Sequence, residues 1–285
     1  MSRGGLYWIA SYPKSGNTWM RAFIQNLRGD PAGPASINEI NVGRLASSRE
    51  WLDDLLGVPT ADLHQDEIAS LRRHANDWMA HEAAEPDYCK IHDACERDAQ
   101  GQPRLGAAAR GALYIVRNPL DVVASAANHW ACSLDVAIDR MNDDDALFAV
   151  SRCVQAQQVP QSLSSWSSHV LGWVDAPPCP LLALRYEDLL DTPQAAFGRA
   201  AAFLGLPCDA ARIERAWHHC RFEELAAQEA AGGFRERGRG DRFFRRGRAG
   251  GWRDELDAAQ VARIVARHAV VMRRFGYLDR DGSPA

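Results

Sequence analysis

The chain has 285 residues, 46% hydrophobic and 25% charged, with a formal net charge of −4. That length carries one sizeable core, or at most two closely merged ones, and the slight acidity excludes a chain that binds polyanions over its whole surface, so an anion site must come from local clustering. No apolar run reaches the length of a membrane span, Leu6–Ala10 behind Met1–Gly5 is too short for a signal-peptide core, and seven scattered cysteines without a C-x-x-C suit reduced thiols. The expectation is a cytoplasmic protein without stable membrane insertion.

Leu6 to Ser11 reads as a buried strand, followed by a turn with Pro13 and Gly16. Met20, Phe23, Ile24 and Leu27 then recur at helical spacing until Gly29. Residues 31–60 are rich in turn formers, with a short helix over Glu50–Leu56. Residues 64–84 read as a helix and Tyr88 to His92 as a short strand. Ala112 to Arg117 is a second buried strand. Asn118-Pro119 opens a helix, because Asn caps, Pro suits the first helical position and Asp121 favours the positive end. Helices are expected over 143–158 and 161–174, a third strand over Cys179 to Tyr186, and helices at about 193–204, 209–219 and 221–231. Gly232–Gly251 is a Gly/Arg-rich loop, and the last helix covers about 257–275. Strands alternating with helices imply an α/β fold, a central parallel sheet flanked by helices, in one domain over 1–285.

Four motifs carry chemistry. In Ser11-Tyr12-Pro13-Lys14-Ser15-Gly16-Asn17-Thr18-Trp19, a loop leaves a strand and enters a helix, so free N–H groups and the helix dipole point at one place. Gly16 lets an anion approach the backbone, Lys14 adds a charge, and Ser15, Asn17 and Thr18 add donors. Lysine precedes the glycine, unlike the usual P-loop. Arg117-Asn118-Pro119-Leu120-Asp121 leads to Ser125 at the carboxyl end of the second strand, where open α/β sheets bind ligands, and Arg117 can grip a phosphate bidentately. Eight arginines stand between Arg235 and Arg253 against Glu236 and Asp241; a solvated basic loop and nonspecific nucleic-acid binding are both open readings. Of the 33 basic residues only Lys14 and Lys90 are lysine, and Lys90 stands in Cys89-Lys90-Ile91-His92. Histidine is the natural base near neutral pH. Cys89, His92 and Cys95 mimic part of a zinc pattern, but no second pair of suitable spacing follows, so no metal is expected.

These motifs, in this order, resemble the cytosolic-type PAPS-dependent sulfotransferases, loosely between about 30 and 85 and closely at the anchors. The family's Y-P-K-[SA]-G-x-T-W loop matches Tyr12 through Trp19, which implies that Lys14 meets the bridging oxygen of 3′-phosphoadenosine 5′-phosphosulfate (PAPS). R-[ND]-P-x-D-x-x-x-S matches Arg117 through Ser125 and implies 3′-phosphate binding. R-K-G-x-x-G-x-W matches Arg245, Arg246, Gly247 and Trp252, with Arg246 in place of lysine. K-x-H matches Lys90 and His92, implying catalytic roles. Tyr186 of Tyr-Glu-Asp and Phe222 correspond to positions near adenosine; Cys220 departs from the family's hydroxyl. The resemblance implies the P-loop-containing nucleoside triphosphate hydrolase-like sulfotransferase fold. It also implies sulfuryl transfer from PAPS to a hydroxyl or amine, with adenosine 3′,5′-bisphosphate (PAP) as product, no metal and no nucleic-acid partner. The rival readings are a P-loop small-molecule kinase, which lacks a G-K-[ST] here, and a noncatalytic nucleotide- or nucleic-acid-binding protein. The acceptor is a small molecule; Trp51, Trp78, Trp130, Phe148, Trp166 and Trp173 could line a hydrophobic pocket or be core. The oligomeric state is not read.

Overall fold

The computed structural model describes residues 4–150 and 156–285. In chain order its elements are β1 (Gly5–Ser11), α1 (Asn17–Gly29), β2 (Arg44–Leu45), α2 (Arg49–Leu56), α3 (Gln65–Glu82), β3 (Pro86–Ile91), β4 (Gly111–Val116) and α4 (Pro119–Trp130). There follow α5 (Leu134–Asn142), β5 (Leu147–Phe148), β6 (Gln161–Ser162), α6 (Trp166–Asp175), β7 (Leu181–Arg185), α7 (Tyr186–Asp191), α8 (Pro193–Phe203), α9 (Ala210–His218), α10 (Phe222–Gly232) and α11 (Ala258–Arg274). The chain forms two compact units. The first holds the described residues of 1–12, 43–114 and 144–183, and the second holds 13–42, 115–143 and 184–285.

The five-stranded sheet runs in the order β2-β3-β1-β4-β7, and all of it but the last two residues of β4 and of β7 falls in the first unit. β1 and β4 are buried at every residue, as continuous apolar runs must be when helices cover both faces of a parallel sheet. β3 lies parallel to β1, with Trp8 opposite Cys89, and β2 parallel to β3. β7 is only half-buried, as suits an edge. Trp8, Trp166 and Trp173 are fully buried, so two of the candidate pocket tryptophans are core, whereas Trp78 is exposed. Trp51 packs on a smaller cluster of Leu52, Ile68, Ala75 and Val159.

The second unit packs α1, α4, α5 and α7–α11. Phe23 and Trp19 of α1 meet Phe197 of α8 at 4.3 and 5.3 Å between ring centroids. Buried Glu187 accepts hydrogen bonds from the Asn118 backbone N–H and the Tyr277 hydroxyl. Asn118 caps α4 with its side chain on the Leu120 N–H, and Pro119 is its first residue.

Three expectations differ. No helix covers 143–150 or 156–158: Leu147–Phe148 pairs antiparallel with Gln161–Ser162, and residues 151–155 lie outside the described residues. Asp143 already ends α5, and the run Asp143-Asp144-Asp145 combines poor helix formers with negative charge at the negative helix end. The next helix begins at Trp166 rather than 161, because Ser164 takes a left-handed turn and Ser165 caps. The third strand stops at Arg185. Tyr186 starts α7 instead, where Glu187 and Asp188 meet the positive helix end.

Candidate active site

The second unit gathers the anion-binding motifs. In the loop before α1, Lys14 has φ 68° and Gly16 φ 106°. These left-handed residues turn backbone N–H groups to one side, the geometry of a nest that can receive an anion. Lysine in that conformation costs about 1–2 kcal/mol, a strain that marks a functional loop. α1 has no side-chain N-cap, and the first-turn N–H groups of a helix have no partner within the helix. The Ser15 hydroxyl is buried and makes no hydrogen bond among the described residues. Both features fit a phosphate group.

Arg117 ties this loop to the arginine-rich segment. Its guanidinium donates to the Lys14 carbonyl at 3.1 Å and to the Arg248 carbonyl at 3.3 Å, and stacks on the Tyr186 ring at 4.2 Å. Its Nε is buried with no partner among the described residues. The Lys14 ammonium sits 3.4 Å over the Phe243 ring centroid. Tyr186 also abuts the nest: a Cβ on Gly16 would fall 2.8 Å from its ring, so only glycine fits there. Ser125 lies on α4 one turn beyond Asp121, on the same face.

The arginine-rich loop is pinned along its length. Buried Glu229 accepts from the Phe243 and Phe244 N–H groups at 2.7 and 2.9 Å, and Asn128 donates to the Arg242 carbonyl. Buried Asp121 accepts from the Gly250 and Trp252 N–H groups at 2.8 and 3.0 Å. Arg245 pairs with Glu255, Arg246 with Asp254 and Glu255, and Arg248 with Asp254. Gly247, at φ 60°, lies against Phe222, the first residue of α10. Cys220 is fully buried, its thiol donating to the Trp217 carbonyl, and burial pushes its pKa up. It fills the space beside the Trp19 side chain. The sequence did not single out Glu229, Asp254 or Glu255, because each acts on backbone or arginines that only folding brings near.

A cavity of about 280 Å³, lined by Asn118, Asp121, Arg185, Glu187, Trp252 and Tyr277 among others, also lies in this unit. Lys14, Arg117 and Arg245 are not among its walls, so it is separate from the anion cradle.

The candidate base lies in the first unit. Lys90 is in β3 opposite Ile9, and His92 follows the strand. The His92 Nδ1 lies 2.8 Å from the Ser11 carbonyl. A carbonyl only accepts, so Nδ1 carries a proton, and whenever the ring is neutral its lone pair is on Nε2. Among the described residues no cluster of His, Cys, Asp or Glu could hold a metal ion, so Cys89, His92 and Cys95 do not form one. No helix among them is long and apolar enough to cross a membrane. The six described cysteines are free thiols.

A family model described as a sulfotransferase domain matches residues 109–276, more than half of the chain. Among curated proteins, cytosolic sulfotransferase 17 of Arabidopsis thaliana is 25% identical over 279 residues, covering 90% of this chain and 71% of that protein. Cytosolic sulfotransferase 16 of the same plant is 24% identical over 293 residues, covering 96% and 78%. Among solved structures, retinol dehydratase in complex with androsterone and inactive cofactor PAP aligns with a TM-score of 0.61 at 20% identity, over 96% of this chain and 82% of that one. Mouse sulfotransferase SULT7A1 complexed with PAP aligns with a TM-score of 0.58 at 17% identity, over 96% and 85%. At these identities the structural likeness speaks for the fold.

Proposed function

The chain belongs to the sulfotransferase family, and from that premise we propose that it moves a sulfuryl group from PAPS to a hydroxyl or amine of a hydrophobic small molecule. The observation that carries the reading is Arg117, whose one guanidinium bridges the Lys14 loop and the arginine-rich loop. Such a bridge presents one positive face to a ligand with two anionic ends, which PAPS has and a simple phosphate lacks. The complexes of similar proteins support the same reading: three are with PAP, two of them being retinol dehydratase with androsterone or with retinol. The names of the curated relatives favour the cytosol. One sulfotransferase domain over 1–285 is part of the proposal.

When bound, PAPS supplies an activated sulfur whose bond to the bridging oxygen breaks as the acceptor oxygen or nitrogen bonds to it. The protein's part is charge and proton management. The Nε2 of His92 takes the acceptor's proton, since Ser11 holds the other ring nitrogen protonated. Lys14 and the N–H groups of the nest and α1 stabilise negative charge on the departing phosphate oxygen. Lys90 is assigned to the same charge. Arg117, Ser125, Arg245, Arg246 and Gly247 hold the 3′-phosphate; Ser15, Gly16, Asn17, Thr18 and Trp19 hold the 5′ end; Tyr186 and Phe222 flank the nucleoside, while Cys220, expected there as well, is fully buried and can only back that wall. Fixed cations do here what Mg²⁺ does in kinases.

Calorimetric binding of PAP, against ATP with Mg²⁺, on the wild type and Arg117→Ala tests this. Binding of PAP but not ATP, lost in the variant, supports the donor assignment. Preference for ATP with Mg²⁺ overturns it. His92→Ala should lose about 10²–10⁴-fold in turnover while PAP binding persists, and Lys14→Ala should lose turnover and some PAP affinity.

A further inference from the structure

The main chain at His92 is held by a clamp that no motif announces. α6 presents His169 and Trp173 one turn apart, on one face. The His169 Nε2 meets the His92 carbonyl at 3.1 Å, and the Trp173 indole N–H meets the next carbonyl, that of Asp93, at 3.0 Å. The Asp93 side chain is gripped by the two terminal guanidinium nitrogens of Arg72 from α3, each at 2.9 Å. His169, Trp173, Asp93 and Arg72 are all buried.

Hydrogen-bond direction fixes the state of His169. The His92 carbonyl can only accept, so His169 Nε2 carries a proton. Its Nδ1 lies 2.9 Å from the Tyr114 hydroxyl, and the Tyr12 backbone N–H also faces that hydroxyl oxygen. The Tyr114 proton therefore points to Nδ1, which accepts it. A neutral, doubly bonded imidazole results, and burial agrees with it, pulling the His169 pKa down to about 4. The chain of bonds runs from Tyr114 through His169 to the His92 carbonyl, and from the His92 ring to the Ser11 carbonyl.

We infer that His169 is a positioning residue for His92: by holding the His92 carbonyl it fixes the backbone from which the imidazole reaches Ser11, and so fixes which ring nitrogen carries the lone pair. A core histidine that merely filled space would need neither bond, and Leu would fill it at less desolvation cost. The inference rests on the sulfotransferase reading only in that it gives His92 a reaction to serve.

Imidazole ¹⁵N spectra of histidine-labelled protein test it without an acceptor, His92 being assigned from the loss of its signals in His92→Gln. The wild type is expected to show His92 in the Nδ1–H form and His169 in the Nε2–H form at neutral pH. His169→Leu should turn His92 into a mixture of tautomers, and His169→Gln, whose amide can still donate to the carbonyl, should restore the single form. Tyr114→Phe, a mild change, should loosen the His169 tautomer and broaden His92 even where the leucine variant folds poorly. A His92 ring that keeps its wild-type tautomer in both His169→Leu and Tyr114→Phe overturns the inference. Failure of the wild type to bind PAP would instead overturn the donor reading and leave the tautomer result standing.

Discussion

Replacing Gly247 by alanine should cost nucleotide binding far more than it costs the fold. A Cβ built there would sit 2.1 Å from Phe222 Cγ, 2.2 Å from its Cδ2 and 2.7 Å from its Cβ. Carbon atoms settle at about 3.5–4.0 Å, so the overlap exceeds an ångström. Turning the Phe222 ring about χ1 moves Cγ and Cδ2 but leaves Phe222 Cβ in place, so a backbone must retreat. Phe222 is set in α10, so the retreat falls on the loop. The left-handed conformation at φ 60° adds about 1–2 kcal/mol for any residue with a Cβ. If about 2 kcal/mol of this total is expressed in the loop's ligand-ready form, PAP affinity falls about 30-fold. Calorimetry with PAP reads the loss, and thermal melting checks that the fold persists. Gly33→Ala is the control: a Cβ there meets nothing within 4 Å. Affinity within about twofold of wild type would show that the contact of Gly247 with Phe222 forms no part of the nucleotide site.

Asp121→Ala leaves the Gly250 and Trp252 N–H groups without their acceptor; each unmet buried group costs about 1–3 kcal/mol, so melting temperature and PAP affinity should both fall, as melting curves with and without PAP would show. The paired change Asp254→Asn and Glu255→Gln releases Arg245, Arg246 and Arg248 from partners that compete with phosphate. These pairs are partly exposed and individually worth about 1 kcal/mol or less, so PAP should bind several-fold tighter and with a steeper salt dependence. Weaker binding would mean that the carboxylates orient the arginines instead. For pH, His169 is pulled from 6.5 to about 4 in the folded protein, so between these values the unfolded chain takes up a proton that the folded one refuses. Stability is full above pH 6.5 and falls with acid down to about pH 4, by up to about 3 kcal/mol. Urea titrations across that range should show the slope in the wild type and less of it in His169→Gln.

What the sequence determined was local. The apolar runs of β1 and β4, the Asn118-Pro119 start of α4 and the strand–loop–helix around Gly16 depend on residues a few positions apart. Their backbone preferences, caps and hydrophobic periods are written in neighbouring side chains. The periodic signal failed where elements were two residues long, as in β2 and β5, or where a single left-handed residue moved a helix start, as at Ser164. Only the tertiary structure decided the strand order, the turn of Tyr186 from strand end to helix start, and the meeting of Arg117 with Lys14 and Arg248. It also decided the buried acceptors Asp121 and Glu229 and the hold of His169 on His92. These contacts join residues from 14 to 131 positions apart. At such separations the chain's own local preferences carry no information, and burial together with the need to satisfy every enclosed polar group makes the choice.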